Sequence, residues 1–168
     1  MVIRGILVNF VNLQYMQGKL FLSIFFYKMT VNQTQDEIIS EFSELTDWMD
    51  RYAYIIDLGN TLPPYPESEK IPSNIIEGCQ SRVWISAKQN EDKTIHFDAD
   101  SDALIVKGII ALLLKVLNDR TPDELLDADL YFIEKIGLKE HLSPTRSNGL
   151  LAMVKQIRNY ARAFKILQ

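Results

Sequence analysis

The chain has a single cysteine, Cys79, set in Gly78-Cys79-Gln80-Ser81-Arg82-Val83-Trp84. A thiol reacts as its thiolate, so the neighbours of Cys79 decide what it does. Gly78 permits a backbone geometry closed to other residues and leaves room for another chain to approach the sulfur. Ser81 and the nearby amides are candidates to donate hydrogen bonds to a thiolate, and Arg82 lowers its pKa if the side chain turns that way. The competing reading is a small core residue, since free cysteines are often buried and inert. Periodicity alone does not overturn it.

Other chemistries find little support. One cysteine cannot close an internal disulfide, which points to a reducing, cytoplasmic home. Together with the separated His96 and His141 it falls short of the ligand sets of structural zinc or an iron–sulfur cluster, so any metal would be shared with a partner and no resident cofactor is expected. Neither histidine stands at a spacing that forms a triad. A net charge of -4 and no clustered Lys and Arg argue against nucleic-acid binding.

These residues need elements to hold them. The composition, 47% hydrophobic and 24% charged over 168 residues, describes one globular domain. Gln35 to Asn60 repeats apolar residues at a spacing near 3.6 and predicts one long amphipathic helix stopped at Gly59. The prolines of Leu62 to Pro66, followed by Glu67 to Lys70, predict a surface loop leading to the cysteine. Val83, Ile85 and Ala87, then Ile95, Phe97 and Ala99, alternate with polar neighbours about an Asn90–Lys93 turn and predict a hairpin. Ser101 or Asp102 is a candidate cap for a helix from Ala103 to about Asn118, with Leu104, Ile105, Ile109, Leu112, Leu113 and Val116 inward, Lys107 solvated and Gly108 at a close helix contact. Thr121-Pro122-Asp123-Glu124 is a capping box for a short helix, Leu130 to Ile136 is another, stopped at Gly137, and Ser143-Pro144 opens a final helix with Leu150, Val154, Ile157 and Ala161 in one stripe. Segregated strands and helices predict an α+β domain, a small antiparallel sheet packed against several helices.

Residues 1 to 28 are strongly apolar, with Arg4, Lys19 and Lys28 their only charges. The longest uncharged run, Gly5 to Gly18, is interrupted by Asn9, Asn12, Gln14 and Gln17, whereas a spanning helix needs about 20 predominantly apolar residues. No secretory cleavage site follows Leu20 to Tyr27. Met29 reads as the start of an ordinary domain over 29–168, with 1–28 as untranslated upstream sequence. The alternative is an amphipathic helix packed on the domain or lying on a membrane surface.

Gly78-Cys79-Gln80-Ser81-Arg82-Val83-Trp84 resembles the Gly-Cys-Gln-Ser-x-Val-Trp signature of the SufE family of sulfur acceptors. Three further blocks agree in order: Tyr54-Ile55-Ile56-Asp57-Leu58-Gly59; Asp100-Ser101-Asp102-Ala103 with Ile105, Lys107 and Gly108; and His141-Leu142-Ser143-Pro144-Thr145-Arg146-Ser147-Asn148-Gly149-Leu150, where Thr145 replaces the commoner serine. The resemblance spans roughly residues 36 to 165 and implies a fold similar to the cluster scaffold proteins. It also implies a role without independent turnover: Cys79 accepts persulfide sulfur from a pyridoxal-phosphate cysteine desulfurase, stimulates that enzyme and passes sulfur to an iron–sulfur scaffold; the charge and the amino-terminal composition separately argue that neither nucleic acid nor a membrane is a partner. A loop that hides the thiol at rest and extends into the desulfurase belongs to the same expectation.

The resemblance makes Gly78, Gln80, Ser81, Arg82, Asp102 and Arg146 the supporting residues. Asp102 is equally a helix cap. Arg146 is equally an exposed first-turn residue, although a positive charge there is mildly unfavourable. Trp84 either braces the cysteine loop or packs. Two other functions compete: a thiol redox sensor, which lacks a resolving cysteine, and an interaction module with an inert Cys79.

Overall fold

A computed structural model of the protein describes residues 28–167. The amino-terminal segment, apart from Lys28, lies outside the described residues, so its reading as upstream sequence or amphipathic helix stands as an expectation. In chain order the fold runs α1 (Val31–Ser43), α2 (Trp48–Asn60), two short 3-10 turns, β1 (Val83–Gln89), β2 (Ile95–Ser101), α3 (Leu104–Leu117), α4 (Pro122–Asp127), α5 (Phe132–Lys135), α6 (Leu138–His141) and α7 (Pro144–Ile166). The architecture is the expected α+β arrangement, with one antiparallel hairpin against helices.

The core is organised on α3. From Val106 to Leu117 every residue except Lys107 and Lys115 is buried. A helix apolar on all sides belongs in the middle of a domain. Accordingly, α3 packs against α1, α2, α7 and β2. The approach of α2 is unusually close: a Cβ on Gly108 would lie 2.1 Å from the Ile55 carbonyl oxygen, and one on Gly59 2.8 Å from the Gly108 nitrogen. The helix ends at Asn60, as expected, but Gly59 does not take the left-handed backbone of a glycine stop. It lies inside α2 and allows two backbones to touch.

The single helix expected over 35–60 is two. The chain leaves helical geometry after Ser43, and Asp47 takes extended backbone to cap α2, its carboxylate accepting from the Asp50 amide at 2.9 Å. A local Asp cap competes with helix continuation, which the shared apolar period conceals. Arg51 secures the break, donating from Nε to the Leu45 carbonyl and from Nη1 to that of Ile136.

The hairpin register pairs Val83 with Ser101 and Gln89 with Ile95, so Val83, Ile85, Ile95, Phe97 and Ala99 face the core as expected. Beyond β2, the Asn118 side chain acts as a further strand, accepting from Phe97 N–H at 2.7 Å and donating to its carbonyl at 3.1 Å. The capping box of α4 forms with both reciprocal hydrogen bonds, Gly137 adopts φ 70° between α5 and α6, and α7 buries Leu150, Met153, Ile157 and Ala161. Leu104, expected inward, is 64% exposed because α3 begins there, before its inward stripe. No helix among the described residues is long and apolar enough to cross a membrane.

Candidate functional site: a thiol held against the last helix

The cysteine loop is tightly closed at its base. Ile76 donates its amide to the Val83 carbonyl at 2.8 Å, and Ile75 bridges Trp84, so Glu77–Arg82 form the tip. Trp84 thus braces the loop and is itself buried. Gly78 turns the tip with φ 89°, a conformation L side chains rarely adopt. Cys79 occupies the tip as expected but is turned inward and half-buried.

Its sulfur rests on α7. Sγ donates to the Gly149 carbonyl at 3.7 Å, and a Cβ on residue 149 would stand 3.3 Å from Sγ. Burial pushes the Cys79 thiol above its ordinary pKa. This corrects the expectation that Ser81, loop amides and Arg82 would favour the thiolate. Arg82 is committed elsewhere, to Asp102.

The end of β2 clasps the loop with three consecutive residues. Asp102 accepts from both the Arg82 backbone amide and its Nε at 3.0 Å, and Ser101 donates to the Arg82 carbonyl at 2.9 Å. Asp100 pairs with Lys70 of the proline-rich loop at 3.1 Å and with Lys107 at 2.8 Å. Its own burial would raise the Asp100 carboxyl, but hydrogen bonds from Lys107 and Lys70 and from the Ser101 amide bring it below the usual carboxylate range. Lys70 and Arg82 also lie over the Trp84 ring, 5.3 and 5.6 Å from its centroid. Two expectations are corrected here. Neither Ser101 nor Asp102 takes the cap position of α3, which is Ala103; Asp102 is committed to the loop, and the Ser101 hydroxyl divides itself between the Arg82 carbonyl and the Ala103 amide, from which it accepts at 3.3 Å. Lys107 is not a solvated residue but half of this ion network.

Beside the thiol opens a cleft of about 520 Å³. Val106 and Ile109 of α3 and Met153 of α7 give it apolar lining, while Gln80, Ser81 and the exposed Arg146 supply polar groups. Ser143 begins α7 at this cleft with no side-chain capping bond, its hydroxyl lying 3.1 Å from that of Thr145. Unsatisfied amides at a helix start and the Arg146 guanidinium both favour negative charge. The segment entering α7 is fixed from behind: His141 stacks on Trp48 with centroids 3.6 Å apart, and the Tyr52 hydroxyl donates to the His141 carbonyl.

Of the sequence-derived site residues, Cys79, Gln80, Ser81 and Arg146 line one cleft. Gly78 shapes the tip; Arg82 and Asp102 form the latch at its base. Gly149, the residue the thiol touches, enters the sequence reading only as part of a block. The available signal is a glycine inside a helix, which costs stability and asks for a reason. Among the described residues no group of His, Cys, Asp and Glu is placed to hold a metal ion.

The fold resembles that of a hypothetical protein from Thermus thermophilus solved in solution, with TM-score 0.65 at 21% identity over 79% of this chain and 96% of that one. The family described as SufE, an Fe–S metabolism associated domain, matches residues 36–161, a span that includes the cysteine loop, its clasp and the cleft wall of α7. The chain therefore belongs to the SufE family of Fe–S metabolism associated domains.

Proposed function

We propose that the protein is a sulfur acceptor and carrier: Cys79 takes sulfur from the persulfide of a pyridoxal-phosphate cysteine desulfurase, stimulates that enzyme by clearing its product, and passes the sulfur to an iron–sulfur scaffold in the cytoplasm. The observation that carries this reading is the lone thiol on a looped tip, latched at its base and withdrawn against α7 beside an open cleft. The Cys79 thiolate attacks the outer sulfur of the donor persulfide. A new S–S bond forms on Cys79, the donor's S–S bond breaks, and the desulfurase cysteine leaves as a thiolate. No external oxidant or reductant is needed. Arg146 and the start of α7 would favour the anionic product. The protein itself supplies no turnover; its part is to accept one sulfur and present it to the next acceptor.

The burial that raises the Cys79 pKa favours one competitor, an interaction module with an inert cysteine. One experiment separates them. The protein is incubated with a cysteine desulfurase from its own genome and free cysteine, and the Cys79 peptide is weighed without reductant. The carrier reading expects one added sulfur on Cys79 and faster desulfurase turnover, both absent in Cys79→Ser. No adduct and no stimulation with any desulfurase of that genome would retire it.

A further inference from the structure

We propose that Gly149 is a positioning residue, a seat on α7 that accepts Cys79 only as the neutral thiol, so that losing the proton, by titration or by loading with sulfur, releases the loop tip. The inference rests on the carrier reading for its purpose but on geometry for its substance. Gly149 is buried within α7, is not among the residues of positive φ, and so meets no backbone demand that alanine would fail. An interior glycine costs a helix roughly 1 kcal/mol relative to alanine. What a Cβ there would meet is the cysteine: Sγ at 3.3 Å and the Cys79 Cβ at 4.0 Å. The missing side chain is room for the sulfur.

The seat also selects a protonation state. The Gly149 carbonyl oxygen only accepts, so the 3.7 Å contact is a hydrogen bond while Sγ carries a proton. Once Sγ is a thiolate, two electron-rich atoms face each other in a half-buried site. A Cys79 persulfide, a stronger acid than its parent thiol, has no proton at neutral pH and meets the same repulsion. Across the cleft, α3 presents only Val106 and Ile109, the start of α7 presents Ser143, Thr145 and Arg146, and Met153 lines it further along α7. Of these Arg146 alone is charged, and it lies in the cleft toward which a released anion would move. On the loop's own side Arg82 is held by Asp102 and Glu77 is exposed. The unloaded carrier is thus parked, and the loaded one is free to deliver.

The test needs no desulfurase. Alkylation of Cys79 by iodoacetamide is followed against pH in the native protein, in Gly149→Ala, and in Asn148→Ala, an exposed neighbour that gains helix propensity without touching the sulfur. Gly149→Ala should react roughly three- to tenfold faster near neutral pH, the range that loss of one hydrogen bond of ordinary net strength allows, with its pH midpoint moved down. Asn148→Ala should match the native protein in both. Equal rates and midpoints in all three would overturn the seat. If Gly149→Ala does not fold, the native protein still decides. Methyl methanethiosulfonate converts Cys79 to its methyl disulfide with methanesulfinate leaving, which removes the S–H donor. Amide exchange over 77–82 should then accelerate, and unchanged exchange would overturn the proposal. Should sulfur uptake from a desulfurase fail while these contrasts hold, the carrier reading falls and the seat stands.

Discussion

Asp102 lies at the cysteine loop, two residues before a helix whose first turn it does not cap. Its two bonds to Arg82 are made by exposed side chains, so their stability value is small, within about 1 kcal/mol, while their geometric value is to hold the last residue before β1. Asp102→Ala should therefore leave the urea midpoint nearly unchanged yet speed Cys79 alkylation severalfold. Asp102→Asn, which keeps an acceptor for the Arg82 amide, should fall between. A large loss of stability with unaltered reactivity would show that the latch serves the fold and not the thiol. Asp100 is different in kind, being mostly buried between two ammonium groups. Its carboxyl sits below its unfolded value, so it contributes stability that is present above the usual carboxyl range and is lost as the pH falls through its lowered folded pKa. The melting temperature of the native protein should exceed that of Asp100→Asn at neutral pH, and the gap should close as the pH falls below the usual carboxylate range. A gap independent of pH would deny the ion network its role.

Helix α3 makes the sharpest demand at the scale of elements, because α2 crosses it with backbones in contact. Gly108→Ala places a methyl 2.1 Å from the Ile55 carbonyl oxygen, an overlap with backbone that no side-chain rotation relieves. Overpacking of this sort costs about 3 kcal/mol or more, readable as a lower urea midpoint, whereas Gly149→Ala, which meets only a loop sulfur, should cost little. The periodicity of α3 and α7, the alternation of the hairpin and the capping box of Thr121 were all legible in the sequence because each is a local pattern. The division of α1 from α2 was not, since Asp47 caps within an unbroken apolar period. Gly59 showed only half of its role: a glycine near a helix end reads as a stop, and only the facing Gly108 reveals a crossing. At the site, Cys79 and Arg146 were carried by the resemblance of their blocks. The contacts of Gly149 with Sγ and of Lys70 with Asp100 join residues far apart in the chain, where neither spacing nor propensity speaks.

At the scale of the whole molecule, the described residues share one core. The contiguous apolar cluster runs from Val31 in α1 to Ala161 in α7, and the matched family span begins later still, at residue 36. The amino-terminal end of the described residues is held by an anchor: buried Arg120 donates from Nη1 to the Met29 carbonyl at 2.5 Å and from Nη2 to the Thr34 hydroxyl, while the Thr30 hydroxyl caps α1. Of the residues before Met29, Lys28 donates to the Asp119 carbonyl, a bond to an exposed ammonium. A chain beginning at Met29 keeps the anchor and the cap, and among the described residues it gives up the bond from Lys28 to Asp119. We expect it to unfold in one cooperative transition with the same dependence on urea as the full chain, and to take up sulfur on Cys79 at the same rate, measured by mass. A lower slope or a lost transition in the shorter chain would mean that residues 1–28 complete the folded domain, and the reading of Met29 as its start would fall. An intact slope with slower uptake would assign them instead to the encounter with the desulfurase.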